Sequence, residues 1–291
     1  MDNLIKVAEG FHFLEGPRWH ENKLWFSDMH GYNVHNLDAD GNLSTLAEIP
    51  EQPSGLGWLP DGSLIIVSML DRKLMKLKDG ELSIHADMSH LTPYQCNDMV
   101  IAKDGTAYVG NFGTDSVESK IHKTCLISVT QEGETKICAD GLLFPNGTVI
   151  SPDGKELIVG ETFGGNLTSF QINESGELSH RTIWARVMPL HFKIITSIIR
   201  FLNIPLKESN STPFPVPDGI CLDSDNGIWV ASPTTAEVIR YKKGGKITDR
   251  IATPQPAYAC MLGGKDEKEL YILTAESSNP QFCKENKTGE I

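Results

Sequence analysis

The six cysteines, at positions 96, 125, 138, 221, 260 and 283, never fall into a Cys-x-x-Cys pair, which leaves a structural zinc site or a thioredoxin-like motif without support. Scattered thiols in a chain of 291 residues fit a reducing compartment better than a disulfide framework. Basic residues are in the minority. With 26 Lys and Arg against 38 Asp and Glu the formal charge is -12, so nucleic acid, which needs a basic surface, is not an expected partner. The opening Met-Asp-Asn-Leu-Ile-Lys has no apolar run followed by a small-residue cleavage site, and a cytoplasmic protein is expected. There is no Gly-x-Ser-x-Gly elbow for a catalytic serine and no glycine-rich run ending in Gly-Lys-Ser or Gly-Lys-Thr for a phosphate.

With 40% hydrophobic and 22% charged residues, the composition is that of an ordinary globular protein long enough to bury a large core. A unit recurs along it: a short apolar strand, a polar turn, then a second β-branched or aromatic strand. The turns carry Asp61-Gly62, Asp104-Gly105, Asp153-Gly154 and Asn226-Gly227, pairs that supply the positive φ of a tight hairpin. Unit starts at Glu15, Ser54, Asn97, Asn146, Asp218 and Cys260 lie roughly 40 to 50 residues apart, except for a longer interval after Asn146, and this period with several strands per unit marks a propeller blade. The expected fold is all-β, a six-bladed β-propeller forming a single domain over residues 1–291. The longer interval holds an apolar, proline-bounded stretch, expected as a short helical or irregular insertion near residues 188–212. Its core, 188–206, is too short and too charged to span a bilayer, so membrane association is not expected; it packs on the rim, covers the site as a lid, or meets a partner.

Four unit starts carry oxygen. Glu15 and Asp218 supply charge, and Asn97 and Asn146 neutral carbonyl oxygens; on equivalent repeats they converge. Such a set suits a hard divalent cation, calcium, magnesium or manganese. No histidine spacing matches a zinc motif, so His12, His30 and His85 are read as core or surface residues, with His30 the one placed nearest a blade mouth.

Glu15-Gly-Pro-Arg-Trp, Asn97-Asp, Pro145-Asn146-Gly and Pro217-Asp218-Gly-Ile-Cys-Leu-Asp, followed by Gly227-Ile-Trp-Val-Ala, resemble the senescence-marker-protein/gluconolactonase family, which includes regucalcin. The resemblance runs from about Glu15 to Gly289, apart from the insertion. It implies a six-bladed propeller with one divalent metal, commonly calcium or zinc, held by Glu15, Asn146 and Asp218. Asn97 would contact the metal or sit beside it and hydrogen-bond substrate, and Asp218 would also act as general base or nucleophile. The implied activity is hydrolysis of a small-molecule lactone or related ester. A phosphotriester hydrolase using the same pocket and a non-catalytic metal-binding propeller are the alternatives. Trp19, Met69, Asn111, Phe112, Phe163, Tyr258 and Met261 flank unit starts and strand ends and are candidates for substrate walls, with about half of them expected in the core.

Overall fold

The hairpins form where the turn chemistry places them. In Asp61-Gly62, Asp104-Gly105 and Asp153-Gly154 the glycines take φ of 80°, 90° and 75°. Each aspartate accepts the backbone N–H two residues on, at Ser63, Thr106 and Lys155. In the fifth unit Asn226 itself takes φ 55°, while Asp223 accepts the N–H groups of Asp225 and Gly227. A turn that fixes its own backbone also fixes the register of the strands it joins.

In a computed structural model, which describes residues 4–114, 120–189 and 214–291, the strands form six four-stranded antiparallel sheets. Blade 1 spans residues 14–48, blade 2 53–87, blade 3 96–142, blade 4 145–186 and blade 5 220–252. The first strands of successive blades pack on one another in a closed ring, and blade 6 returns to blade 1. The chain is therefore a six-bladed β-propeller, nearly all strand, with one short helix, Pro280–Glu285, among the described residues. Of the insertion expected near 188–212, residues 190–212 lie outside the described residues.

The sixth sheet is made from both ends of the chain. Its order runs from Ala257–Gly263 to Glu269–Thr274, then Gly289–Glu290, and finally Glu9–Phe11 on the outside. Val7 N–H donates to the Ile291 carbonyl and Ile291 N–H to Ala8, both at 2.9 Å. This pairing closes the ring non-covalently. Between blades, side chains from facing strand surfaces form the core: Leu157, Val159 and Phe170 of blade 4 meet Tyr108, Leu126 and Leu142 of blade 3, all buried.

Five inner strands break register at the same place: Glu15/Arg18, Pro53/Leu56, Cys96/Met99, Pro145/Thr148 and Ala257/Ala259. A bulge re-aims the side chain it carries. It also brings the inner strands very close: a Cβ on Gly55 would stand 2.5 Å from Met99 N, one on Gly147 2.4 Å from Ile220 N, and one on Gly219 2.7 Å from Ala259 Cα. Glycine is required there because the next blade's backbone occupies the space.

Candidate active site on the inner ring

Alignment of the inner strands identifies six equivalent positions, all buried: Glu15, Ser54, Asn97, Asn146 and Tyr258 at the five register breaks, and Asp218 just before the inner strand of blade 5, with its N–H on the Ala231 carbonyl. The sixth differs from expectation. Cys260 pairs with Ile272 as Leu56 pairs with Ile66, so the residue equivalent to Ser54 is Tyr258, two positions earlier. Tyr-Ala lacks the short oxygen-bearing side chain of the other five starts and the glycine that follows four of them.

Direct bonds link neighbouring members. Asn146 Nδ2 donates to Asp218 Oδ1 at 2.6 Å and to Thr162 Oγ1 at 3.2 Å, and Thr162 Oγ1 donates on to the Pro217 carbonyl at 2.8 Å. Both amide protons of Asn146 are thereby used. Its Oδ1 is buried with no partner, which is costly unless something else meets it. Asn97 is arranged the other way, with Oδ1 accepting from Ser54 Oγ at 3.2 Å. Glu15 Oε2 accepts only a local 3.2 Å bond from Gly16 N–H.

The carboxylates pay for this burial in their protonation. Desolvation, followed by the charges of Asp218 and Asp98, raises Glu15 well above the usual carboxylate range. Asp218 is pushed up to about 7, first by burial and further by Asp98, against the opposing hydrogen bond from Asn146. Glu161, another buried carboxylate on this end of blade 4, is different: Leu143 N–H at 2.8 Å, Arg181 at 3.1 Å, Asn166 at 3.2 Å and the Thr168 hydroxyl all donate to it. Its four donors make it a structural anchor, whereas Glu15 and Asp218 keep capacity for something not supplied by the protein.

A side chain from blade 1 crosses to blade 3 past the inner strand of blade 2. Arg18 Nη2 reaches Asp98 Oδ1 at 2.8 Å and the Met99 carbonyl, and Nη1 donates to Pro17 O at 2.7 Å. Asp98 occupies the position that holds glycine at Gly16, Gly55, Gly147 and Gly219 in other blades.

The expected walls divide. Met69 is 1% exposed and lies in the core, Trp19 stacks on Tyr271 at 5.6 Å, and Met261 packs between two core clusters. Asn111 is tied within blade 3 to the Cys125 carbonyl and the Thr124 hydroxyl. Beside Asn146, by contrast, Phe112 stacks on Phe144 at 4.5 Å and Phe144 meets Phe163 edge-on at 5.0 Å. Phe144 has φ 57°, a sparsely populated conformation for a bulky residue, and its ring contacts hold it there immediately before Pro145-Asn146. Phe144 carries no sequence signal of that role. Opposite, Tyr258 contacts Phe13 at 4.7 Å, and His30, with its Nδ1 3.2 Å from Gln52 Nε2, lies behind Phe13 at 5.6 Å. Burial pushes His30 down to about 4, so it is neutral at physiological pH. His12 pairs with Asp28 and His85 faces the Thr130 carbonyl.

Among the described residues no three His, Cys, Asp or Glu side chains cluster as a metal site. The ring has two carboxylates, and its remaining donors are carboxamides and hydroxyls. The six cysteines are free thiols; Cys221 and Cys260 are the nearest, with Sγ atoms 3.8 Å apart on the inner strands of blades 5 and 6.

A six-bladed propeller with a buried, oxygen-lined ring on its inner strands is the class that fold and site define. Residues 13–276 match the SMP-30/Gluconolactonase/LRE-like region, and the chain belongs to that family. A pentonolactonase of Haloferax volcanii is 24% identical over 266 residues, covering 90% of this chain and 81% of the relative. Among solved structures, a calcium-binding regucalcin from Agrobacterium tumefaciens superposes with a TM-score of 0.74 at 18% identity, covering 98% and 91% of the two chains. A gluconolactonase from Xanthomonas campestris gives 0.71 at 22%, covering 92% and 85%. The two structural likenesses are likenesses of fold.

Proposed function

We propose that this chain hydrolyses a lactone or related cyclic ester at the inner ring, where Glu15, Asn146 and Asp218, with Asn97 beside them, hold one divalent metal ion. The observation that carries the ion is the buried, unpartnered Oδ1 of Asn146 next to a carboxylate already bonded to the same amide. Family membership, with a pentonolactonase and a gluconolactonase among the relatives, supports the lactone. Oxygen donors without sulfur or imidazole suit calcium first, then magnesium or manganese, with zinc as the softer alternative.

When bound, such an ion polarises an ester carbonyl and stabilises negative charge on its oxygen. The chain's own residues supply positioning and proton transfer. Asn97, whose Oδ1 accepts from Ser54 Oγ, would offer its Nδ2 donors to the substrate. Asp218 removes a proton from water as the water oxygen bonds to the carbonyl carbon. The ring C–O bond then breaks, the leaving alkoxide takes that proton back, and the product is the open hydroxy acid. Phe112, Phe144 and Phe163 give the Asn146 side an apolar wall, which favours an uncharged substrate over a phosphorylated one.

The test is turnover of aliphatic, sugar and aromatic lactones and a phosphotriester by chelator-stripped protein, before and after adding calcium, magnesium, manganese or zinc. Lactone turnover restored by metal is expected, with Asp218→Asn inactive. Turnover of the phosphotriester alone would change the reaction class. Ion binding without any turnover would make the chain a binding propeller, and full activity in Asp218→Asn would remove that residue from both of its roles.

A further inference from the structure

We propose that the Arg18–Asp98 pair sets the charge of the ring at the value one divalent cation neutralises, and so acts as a positioning and charge-balancing element for the site; the inference rests on the cation reading above.

Its placement sets the pair apart from an ordinary ion pair. Asp98 follows Asn97 at the bulge position where blades 1, 2, 4 and 5 have glycine. Its Oδ1 accepts the N–H of Met99 and the guanidinium of Arg18, both at 2.8 Å, with side-chain exposures of 6% and 14% for Asp98 and Arg18. The guanidinium also binds two backbone carbonyls, those of Pro17 and Met99, and so ties blade 1 to blade 3. Arg18 lies three residues from Glu15 on one strand, and Asp98 adjoins Asn97 on another. The pair is built into the two strands that present those residues.

The charge count gives the pair its consequence. With Glu15 and Asp218 ionised around a cation, the two carboxylates contribute two negative charges, and Asp98 adds a third that Arg18 cancels. Removing Asp98 alone leaves a guanidinium beside the ion. Removing Arg18 alone leaves a third carboxylate. A unit charge about 6 Å from a divalent ion changes its affinity about tenfold at the dielectric constant of water. A pair that merely braced the fold would produce no such opposite signs.

The experiment is calorimetric titration of calcium and of manganese into the metal-stripped full chain and three variants: Asp98→Asn, Arg18→Gln and the double substitution. Asp98→Asn is expected to weaken binding about tenfold, Arg18→Gln to tighten it about tenfold, and the double variant to return within about threefold of the parent. Either single variant suffices if the other does not fold, because the two shifts are opposite. Equal affinity in parent and single variants, or equal weakening in all three, overturns the charge-balancing role and leaves the pair a brace. If the unmodified chain itself binds neither ion, the cation reading fails, and the charge-balancing inference falls with it.

Discussion

At the hairpin end of the blades, Asp61 and Asp153 lie on exposed turns, whereas at the mouth end Glu15 and Asp218 are buried on the inner ring. The turn residues are held below the usual carboxylate range, Asp61 by Ser63 and the nearby Lys78 and Lys76, Asp153 by Ser151 and the Lys155 N–H. The ring residues are pushed above it, Glu15 by burial and the charges of Asp218 and Asp98, Asp218 by burial and the charge of Asp98. One side-chain chemistry thus serves two ends. Carboxylates whose partners are all within the chain support the fold, while those left short of partners oppose it in the metal-free state and are available for a ligand.

Substitution separates the two ends most sharply through activity. Glu15→Gln or Asp218→Asn is expected to lower kcat/KM for the best lactone by roughly a hundredfold to ten-thousandfold, while Asp153→Asn leaves it unchanged; steady-state kinetics decide. Comparable losses at both ends would erase the contrast. Next in size, Gly147→Ala should destabilise by at least about 2 kcal/mol in urea unfolding, because its Cβ would meet the Ile220 N at 2.4 Å. Wild-type stability in that variant would show that the blades can move apart.

Titration gives a further contrast. Asp218 has its folded pKa raised to about 7, so its stabilising contribution is complete below the unfolded carboxylate value and is lost as pH rises through about 7. Metal-free protein is therefore expected to melt at progressively lower temperature from pH 5 to 8, and Asp218→Asn to flatten that slope. A slope of opposite sign would place Asp218 in a solvated or ion-paired setting. Asp153, with its pKa lowered, works in reverse: its contribution is present at neutral pH and is lost on acidification. The smallest expected effect is a slight drop in the melting temperature of Asp153→Asn at pH 7, vanishing at acid pH.

The propeller was legible because its determinants are local. Asp-Gly and Asn-Gly at regular spacing specify hairpins from a few adjacent residues, and the structure places turns at those pairs. The structure brings Glu15, Asn97, Asn146 and Asp218 onto one ring, as their positions in the repeats implied. Tyr258 escaped because the sixth unit has neither the short oxygen-bearing side chain nor the glycine, so that Cys260 drew the boundary two residues late. Closure of blade 6 by residues 9–11 joins segments from opposite ends of the chain, a pairing that leaves no local pattern. Met69, Trp19 and Met261 show the same limit, since an apolar side chain near a strand end reads alike whether it faces a neighbouring blade or a pocket. The Arg18–Asp98 contact spans eighty residues and depends on a side chain crossing a strand to which neither residue belongs.

The most direct measurement is the anomalous difference density of a crystal of this protein grown with manganese. One ion per chain is expected, bounded by side-chain oxygens of Glu15, Asn146 and Asp218, with Asn146 Oδ1 among the ligands. Density confined to the exposed turn aspartates, or an ion on the ring that leaves Asn146 Oδ1 without contact, would contradict the account.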